Sequence, residues 1–430
     1  MKLELGTFPV TDVVLGGESK WSDGVLTVDE DGILKSIKQD PRIRSVKIEL
    51  VKPGESVRIA SVRDVIEPRV KVSGPGVVYP GMFGRPVTTV GQGRTHRLAG
   101  TSVIEVAEVE FYHGNDAWLD TFIDMSGPGA IAPYCDMPNV CVELEVDTSL
   151  AIEDQNEACH GAALLASDLI AEATRGLEPP ELKTYELTET PPDMPKVVFI
   201  INLRSPQHYA DSVYAHWTSI YGLSRQTTPW VLHPNEIFDG AISGRGSWEL
   251  INNPIVEDMY EAHGKEFAFA GVIAARTRWS AQNEKDITSQ QCAKIAAMLG
   301  ASGAIITFDA GGNDFMETIR TVQACENAGI KTVFATGEES PDSGGPPLLE
   351  PLEEARAIVS LGQGGGGPGS GSAGPSEGNQ SLPAVEKLIG QKMIVEDSSQ
   401  RQRIVPADGP MPSARWSDHY GFGRSSAFGY

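Results

Sequence analysis

The side chains able to do chemistry in this sequence are few and scattered. Five cysteines stand at positions 135, 141, 159, 292 and 325. Cys159 is followed by His160 within Glu157-Ala-Cys-His, just ahead of an Ala/Leu-rich stretch. A thiol early in a helix can act as a nucleophile, because the helix dipole lowers its pKa. The competing reading is a small buried apolar group. Cys159 and His160 are also the low-prior candidates for a metal site, but no Cys-x-x-Cys pair accompanies them, as structural zinc usually requires. Cys292 and Cys325 fall inside helical patterns and read as core.

Glycine-rich loops offer a second kind of chemistry. Gly91-Gln-Gly-Arg-Thr-His96 lacks the spacing of a Walker A phosphate loop and reads as a turn. Arg204-Ser-Pro-Gln follows a strong apolar run without the glycines of a dinucleotide fingerprint. Three other loops are better placed. Asp309-Ala-Gly311-Gly312-Asn313-Asp314 lies between a strand pattern and a helix pattern, where backbone N–H groups can meet a carboxylate. Residues 337–345 follow the next strand pattern and carry Glu338. For both, an ordinary strand-to-helix connection is the alternative. The third, Asp239-Gly-Ala-Ile-Ser243-Gly-Arg245-Gly-Ser247-Trp248, sets two serines and an arginine among glycines, with Asn252-Asn253-Pro254 just beyond.

These loops need elements to position them. Residues 1–150 alternate in short apolar runs at 10–15, 24–28, 46–51, 57–59 and 102–111, punctuated by Gly and Pro, and predict a β-rich domain. Residues 151–194 hold one helix of some 20 residues, ended by Gly176 and Pro179-Pro180, and a connector. From 195 to 361, continuous apolar runs at 196–203, 267–274, 304–308, 332–335 and 357–361 alternate with helical stretches at 255–263, 289–299 and 315–328. Such runs suit strands buried on both faces, and Gly300 and Gly329 stand where C-cap glycines belong. The prediction is mixed α/β: a β-rich N-terminal domain, then a doubly wound parallel α/β domain that binds ligands at its strand C-termini. Residues 362–380 read as a Gly-rich linker, and 381–430 as an irregular tail with a short helix at 383–390. The aromatic end of that tail cannot form its own core; it packs along this chain or a partner, or else stays disordered.

Composition narrows the partners. Thirty-five Lys and Arg against 58 Asp and Glu give a net charge of −23, which argues against nucleic acid and against anionic lipid. Few cysteines, odd in number, make no secreted disulfide framework. Neither a signal-peptide pattern nor a membrane-length apolar run is present, so the expected address is cytoplasmic.

Several motifs then point one way. Lys52-Pro-Gly-Glu-Ser-Val-Arg58-Ile59 and Arg63-Asp-Val-Ile-Glu-Pro-Arg-Val-Lys71 come first. Val90-Gly-x-Gly-Arg-Thr-His96, Ile123-Asp-Met-Ser-Gly-x-Gly-Ala130, Asp239-Gly-Ala-Ile242, Asn252-Asn-Pro254 and Gly329-Ile-Lys-Thr-Val333 follow in order. Together they resemble the α subunit of component B of the glycine, sarcosine and betaine reductases, related to the D-proline reductase proprotein. The resemblance implies a hetero-oligomer that reductively cleaves a C–N bond next to a carboxylate. A β-type partner subunit would supply the cysteine or selenocysteine. It also implies an α-type subunit made as a proprotein, which cuts itself before a cysteine to leave a pyruvoyl group, an electrophile for an amine substrate.

Here the sequence departs from that pattern. The precursor cysteine belongs between Ile242 and Asn252, and the segment holds none. The expectation is therefore an uncleaved homologue without pyruvoyl; Ser247, after the unhindered Gly246, is the alternative precursor. Within this reading Arg58, His96 and Arg245 are candidate electrostatic contributors, Ser247 and Cys159 further catalytic candidates. Asp309, Gly311, Gly312, Asn313, Glu338, Asn252 and Asn253 are the candidate substrate contacts. Two other readings stand beside it: a structural or regulatory subunit without chemistry, and an enzyme reusing the scaffold through Cys159, His160 or a metal.

Overall fold

The computed structural model describes residues 1–107, 121–203, 218–223, 229–244, 246–277, 281–308, 313–338, 352–363, 382–390, 394–396, 402–404 and 420–422. The chain is mixed α/β, as the sequence predicts.

Two sheets dominate the first part. One has the order Glu181–Glu186, Lys2–Pro9, Gly93–Ala99, Arg69–Ser73; the other runs Thr121–Asp124, Val57–Ile66, Ser102–Ala107, Asn139–Val146, Ile43–Val51. Two short corners carry the chain directly from one to the other. Glu67-Pro68 joins Val57–Ile66 to Arg69–Ser73, and proline suits that corner because it has no N–H to give a ladder. Gly100-Thr101 makes the second crossing. Strand Lys2–Pro9, helix Glu30–Ile37 and strand Asn139–Val146 are among the elements that escaped the sequence reading, the turn read at 91–96 is corrected to the start of strand Gly93–Ala99, and Glu181–Glu186 within the expected connector pairs antiparallel with Lys2–Pro9. Helix Ile152–Ala171 packs its Ala158, Ala162 and Ala166 face with Val103, Val140 and Val142 of the second sheet.

Strand Val57–Ile66 is buried along its whole length. Its register against Ser102–Ala107 shifts between Val62, opposite Val106, and Asp64, opposite Glu105. That bulge leaves Arg63 as the extra residue. Bulges re-aim side chains, so consecutive residues Arg63 and Asp64 both reach the same interior cluster.

The second part is a six-stranded sheet in the order Trp230–Leu232, Ala268–Arg276, Lys196–Leu203, Gly303–Phe308, Lys331–Glu338, Ile358–Gln363. All neighbours are parallel except Trp230–Leu232. Helix Pro254–Ala262 covers one face, where Val256 and Met259 meet Phe199, Ile201 and Ala274. Helices Gln282–Met298 and Asn313–Asn327 cover the other, where Cys292 and Phe315 meet Ile200 and Ile306. The sheet is therefore wound on both faces. Strand order reverses between Lys196–Leu203 and Gly303–Phe308, the place where such sheets take ligands.

The tail corrects one expectation. Residues 383–390 do not form a helix; Lys387–Ile389 is a strand, parallel to Val57–Ile59. Ser102–Ala107 pairs with its neighbour only from Val62 onward, which leaves an open edge at 57–59. Backbone hydrogen bonding to that edge outweighs the weak helix pattern. Gly390 ends the strand at φ +82, and a Cβ there would lie 2.4 Å from the carbonyl oxygen of Ala60.

Candidate functional site

The strongest concentration of buried polar groups surrounds the segment 239–253. The stretch 63–71 grips that segment at three places.

The first grip is Asp64. Its Oδ1 accepts from the backbone N–H of Gly246 at 3.0 Å and of Ser247 at 2.8 Å, and its Oδ2 accepts from Ser247 Oγ at 2.7 Å. Ser247 opens the short helix Ser247–Ile251, and Gly246 before it takes φ +82 and ψ 45, a left-handed turn that glycine adopts without strain. The Gly246 carbonyl accepts from Glu249 N–H at 2.9 Å, in the helix's first turn. Ser247 Oγ also lies 3.0 Å from the carbonyl oxygen of Gly244.

Behind Asp64 lies a charge-balanced cluster. His160 Nε2 is 3.9 Å from Asp64 Oδ2, and its Nδ1 is 2.6 Å from Glu105 Oε2. Arg63 Nε donates to Glu105 Oε1 at 2.9 Å, and Arg63 Nη2 donates to Asn156 Oδ1 at 2.5 Å. Asn156 and His160, four apart on one helix, face the sheet together. Burial pushes Asp64 up to about 6, against the pull of His160 and the hydrogen bonds from Ser247. Burial disfavours a charged His160, but Glu105 and Asp64 outweigh it and raise its pKa. Burial acts on Glu105 in the opposite sense, and His160 with Arg63 outweighs it and lowers the value. The result is two acids facing two bases, all buried, which satisfies the requirement that interior charge be paired.

The second grip is Arg69, a fully buried guanidinium. It donates to Glu67 Oε1 at 2.7 Å, to the Phe238 carbonyl at 2.6 Å and to Asn252 Oδ1 at 2.7 Å. Arg97 reaches the same Asn252 oxygen at 3.0 Å, and Asn252 Nδ2 donates to Glu67 Oε2 at 3.2 Å. The third grip is Lys71, whose Nζ pairs with Asp239. Asp239 also accepts from Thr95 Oγ1 at 2.6 Å and from Gly91 N–H at 2.7 Å. The sequence motifs that lie far apart in the chain, 63–71, 90–96, 239–242 and 252–254, are thus one hydrogen-bonded unit.

Other predicted residues fall elsewhere. Arg58 is buried in an ion pair with Asp124 at 2.6 Å and donates to the Pro383 carbonyl at 3.1 Å. His96 packs on Phe8 with Nδ1 3.1 Å from the Thr174 carbonyl, and burial lowers its pKa. Asn253 caps helix Pro254–Ala262, its Oδ1 accepting from Ile255 N–H at 3.0 Å. Of the two readings of Cys159, the structure has the side chain buried: burial pushes the thiol up to about 12, and the residue sits in the second turn of its helix, past the reach of the dipole. Arg245, Asp309, Gly311 and Gly312 lie outside the described residues. The backbone of Asn313 opens helix Asn313–Asn327, and that of Glu338 ends strand Lys331–Glu338. Among the described residues no group of three or more His, Cys, Asp or Glu is placed to hold a metal ion.

Asp64, Glu67, Arg69, Lys71, Glu105 and Asp239 were missed as site residues. The signal was present: four charged residues within 64–71, inside a motif that carries the family resemblance.

Comparison with known proteins gives the family. Residues 1–411 match the family model described as glycine/sarcosine/betaine reductase component B subunits. The chain belongs to that family. It is 34 % identical over 418 residues to the sarcosine reductase complex component B subunit alpha of Peptoclostridium acidaminophilum, covering 92 % of this chain and 91 % of the relative. It is 33 % identical over 407 residues to a glycine reductase protein of Acetoanaerobium sticklandii named as component B subunits alpha and beta, covering 91 % and 89 %. A D-proline reductase proprotein of the same organism is more distant, at 22 % over 330 residues, covering 72 % of this chain and 50 % of that protein. No solved structure matches.

One prediction arises directly from the Asp64 grip on this family member. Ser247→Ala removes the hydroxyl bonded to a buried carboxylate and should cost about 1.5–3 kcal/mol in a denaturant titration. A loss within error of zero would mean that the Oγ contact contributes nothing to the fold.

Proposed function

We propose that this chain is an alpha-type subunit of a reductase complex related to the glycine, sarcosine, betaine and D-proline reductases. The reaction is reductive cleavage of a C–N or other C–heteroatom bond next to a carboxylate. A separate beta-type subunit supplies the cysteine or selenocysteine, and the complex works in the cytoplasm. Family membership across residues 1–411 supports the complex. The observation that carries the finer reading is the segment 242–252, which has no cysteine and is bonded into the chain's own interior at Ser247, in its middle, and at Asn252, its end. We read the chain as uncleaved and without pyruvoyl.

In this account Asp64, Arg69 and Lys71 hold the 239–253 segment as a fixed wall. The substrate carboxylate binds at residues 311–313, beyond strand Gly303–Phe308 and next to the place where strand order reverses. The electron pair for bond cleavage comes from the partner's sulfur or selenium.

A second reading has its own observation. Ser247 Oγ donates to Asp64, a carboxylate raised toward neutrality and so able to take that proton. Such a serine could attack the Gly246 carbonyl and become the pyruvoyl precursor.

The test is an activity assay of the beta-type subunit with and without this chain. The reading expects turnover only with both. Full activity from the partner alone would reduce this chain to a structural or regulatory role.

A further inference from the structure

Two polar side chains are buried on the sheet face that packs against segment 239–253 and helix Pro254–Ala262. Strand Lys196–Leu203 gives that face Phe199, Ile201 and Leu203, in one apolar cluster with Ile242 and Leu250 of the segment. Its neighbours add Val272 and Ala274 on one side and Ile305 on the other. Side chains alternate along a strand, so the next position on this face is Arg276 in strand Ala268–Arg276 and Thr307 in strand Gly303–Phe308. Register agrees: Arg276 lies opposite Leu203, and Thr307 opposite Ile201. An apolar face thus ends in a guanidinium 2 % exposed and a hydroxyl 0 % exposed, on either side of strand Lys196–Leu203.

The three strand ends are tied together. Thr277 donates to the Leu203 carbonyl through its N–H at 2.9 Å and its Oγ1 at 3.1 Å, and Asn202 Nδ2 donates to the Thr307 carbonyl at 3.2 Å. The Thr307 hydroxyl itself has no hydrogen-bond partner among the described residues. Burying a hydroxyl without a partner is costly, and burying a guanidinium is costly unless an anion meets it. A guanidinium has several donors, so Arg276 can keep a protein partner and still meet a carboxylate. Strand order reverses beside these residues, at the end of the sheet where such folds take ligands.

We propose that Arg276 and Thr307 form a carboxylate subsite, the guanidinium supplying charge and the hydroxyl a donor. The identity of the ligand rests on the reductase reading: a small acid whose carboxylate lies next to the bond that breaks. The subsite adds side-chain charge to the backbone N–H groups expected at 311–313.

Calorimetric titration of the full chain with glycine, N-methylglycine and N,N,N-trimethylglycine, each beside its amide, tests the subsite without turnover. At least one acid should bind, and its amide about tenfold or more weaker, because the amide lacks the charge that Arg276 meets. Thr307→Val keeps the side-chain shape and should weaken the acid about tenfold. With no partner lost among the described residues, the same variant should melt no lower than wild type. Thr307→Ser, which keeps the hydroxyl, should bind the acid nearly as wild type does. Arg276→Gln should lose the preference for acid over amide. The subsite is overturned if wild type binds no acid better than its amide, if Thr307→Val binds the acid as wild type does, or if Arg276→Gln, folded by circular dichroism, keeps the preference. Where Arg276→Gln does not fold, Thr307→Val decides. Failure of the reductase reading looks different: the acids bind and the variants weaken them, while the chain with its partner turns nothing over.

Discussion

Arg69→Met should lose about 3–5 kcal/mol of stability, the range for breaking a buried ion pair from one side. Arg69 is fully buried, so its loss leaves Glu67 without its guanidinium partner in the interior. The Phe238 carbonyl and Asn252 lose donors in the same step. The segment 239–253 would then keep its holds at Asp64 and at Asp239 and be left with Arg97 and Glu67 at Asn252. Arg69→Lys should recover little of the loss. A single ammonium cannot present the planar fork that reaches Glu67, Phe238 and Asn252 together. Denaturant midpoints of the three proteins decide this. A loss below about 1 kcal/mol for Arg69→Met, the worth of a surface pair, would show that the join does not depend on this residue.

Asp64 should give the clearest pH signature. Its folded pKa of about 6 lies above the ordinary value of 3.8, so the folded chain holds this proton more tightly than the unfolded chain. The stabilisation is fully present below the ordinary value and is lost as the pH rises through about 6. His160, also raised, acts in the same sense at higher pH: its proton favours the fold until the pH climbs past its raised value. Glu105, lowered, acts oppositely, contributing above the ordinary carboxylate range and fading as the pH falls through its lowered value. Asp64→Asn deletes the first of these contributions. Melting temperatures of wild type and variant, taken from about pH 4 to about pH 8, should show the wild type losing ground to the variant up to about pH 6 and holding level beyond. Parallel profiles would contradict the assignment.

How much of this was legible in the sequence depended on the distance between partners. The doubly wound half was readable because its strands are uninterrupted apolar runs and its helices end at Gly300 and Gly329, which take φ +75 and +81. Local chemistry dictates those features. The grip on 239–253 was not readable, because its partners are remote: Arg69 and Asn252 are 183 residues apart, as are Asp64 and Ser247. The joint service of Arg63 and Asp64 needs a bulge, which strict alternation along a strand would have denied. His160 was noticed beside Cys159 as a metal or thiol partner. Helical spacing instead pairs it with Asn156 and turns both toward Arg63 and Glu105. The tail strand was hidden for another reason: Lys387–Ile389 is three residues long and exists because an edge at 57–59 was left open.

The central claim, an alpha-type subunit that stays whole at the Gly246–Ser247 bond, has a direct measurement. The intact mass of the chain, purified with its partner and treated with a hydrazine, should show one unmodified species of 46.1 kDa. Two fragments split near residue 246, with a carbonyl at the new end that takes up the hydrazine, would contradict it and make Ser247 the electrophile's precursor.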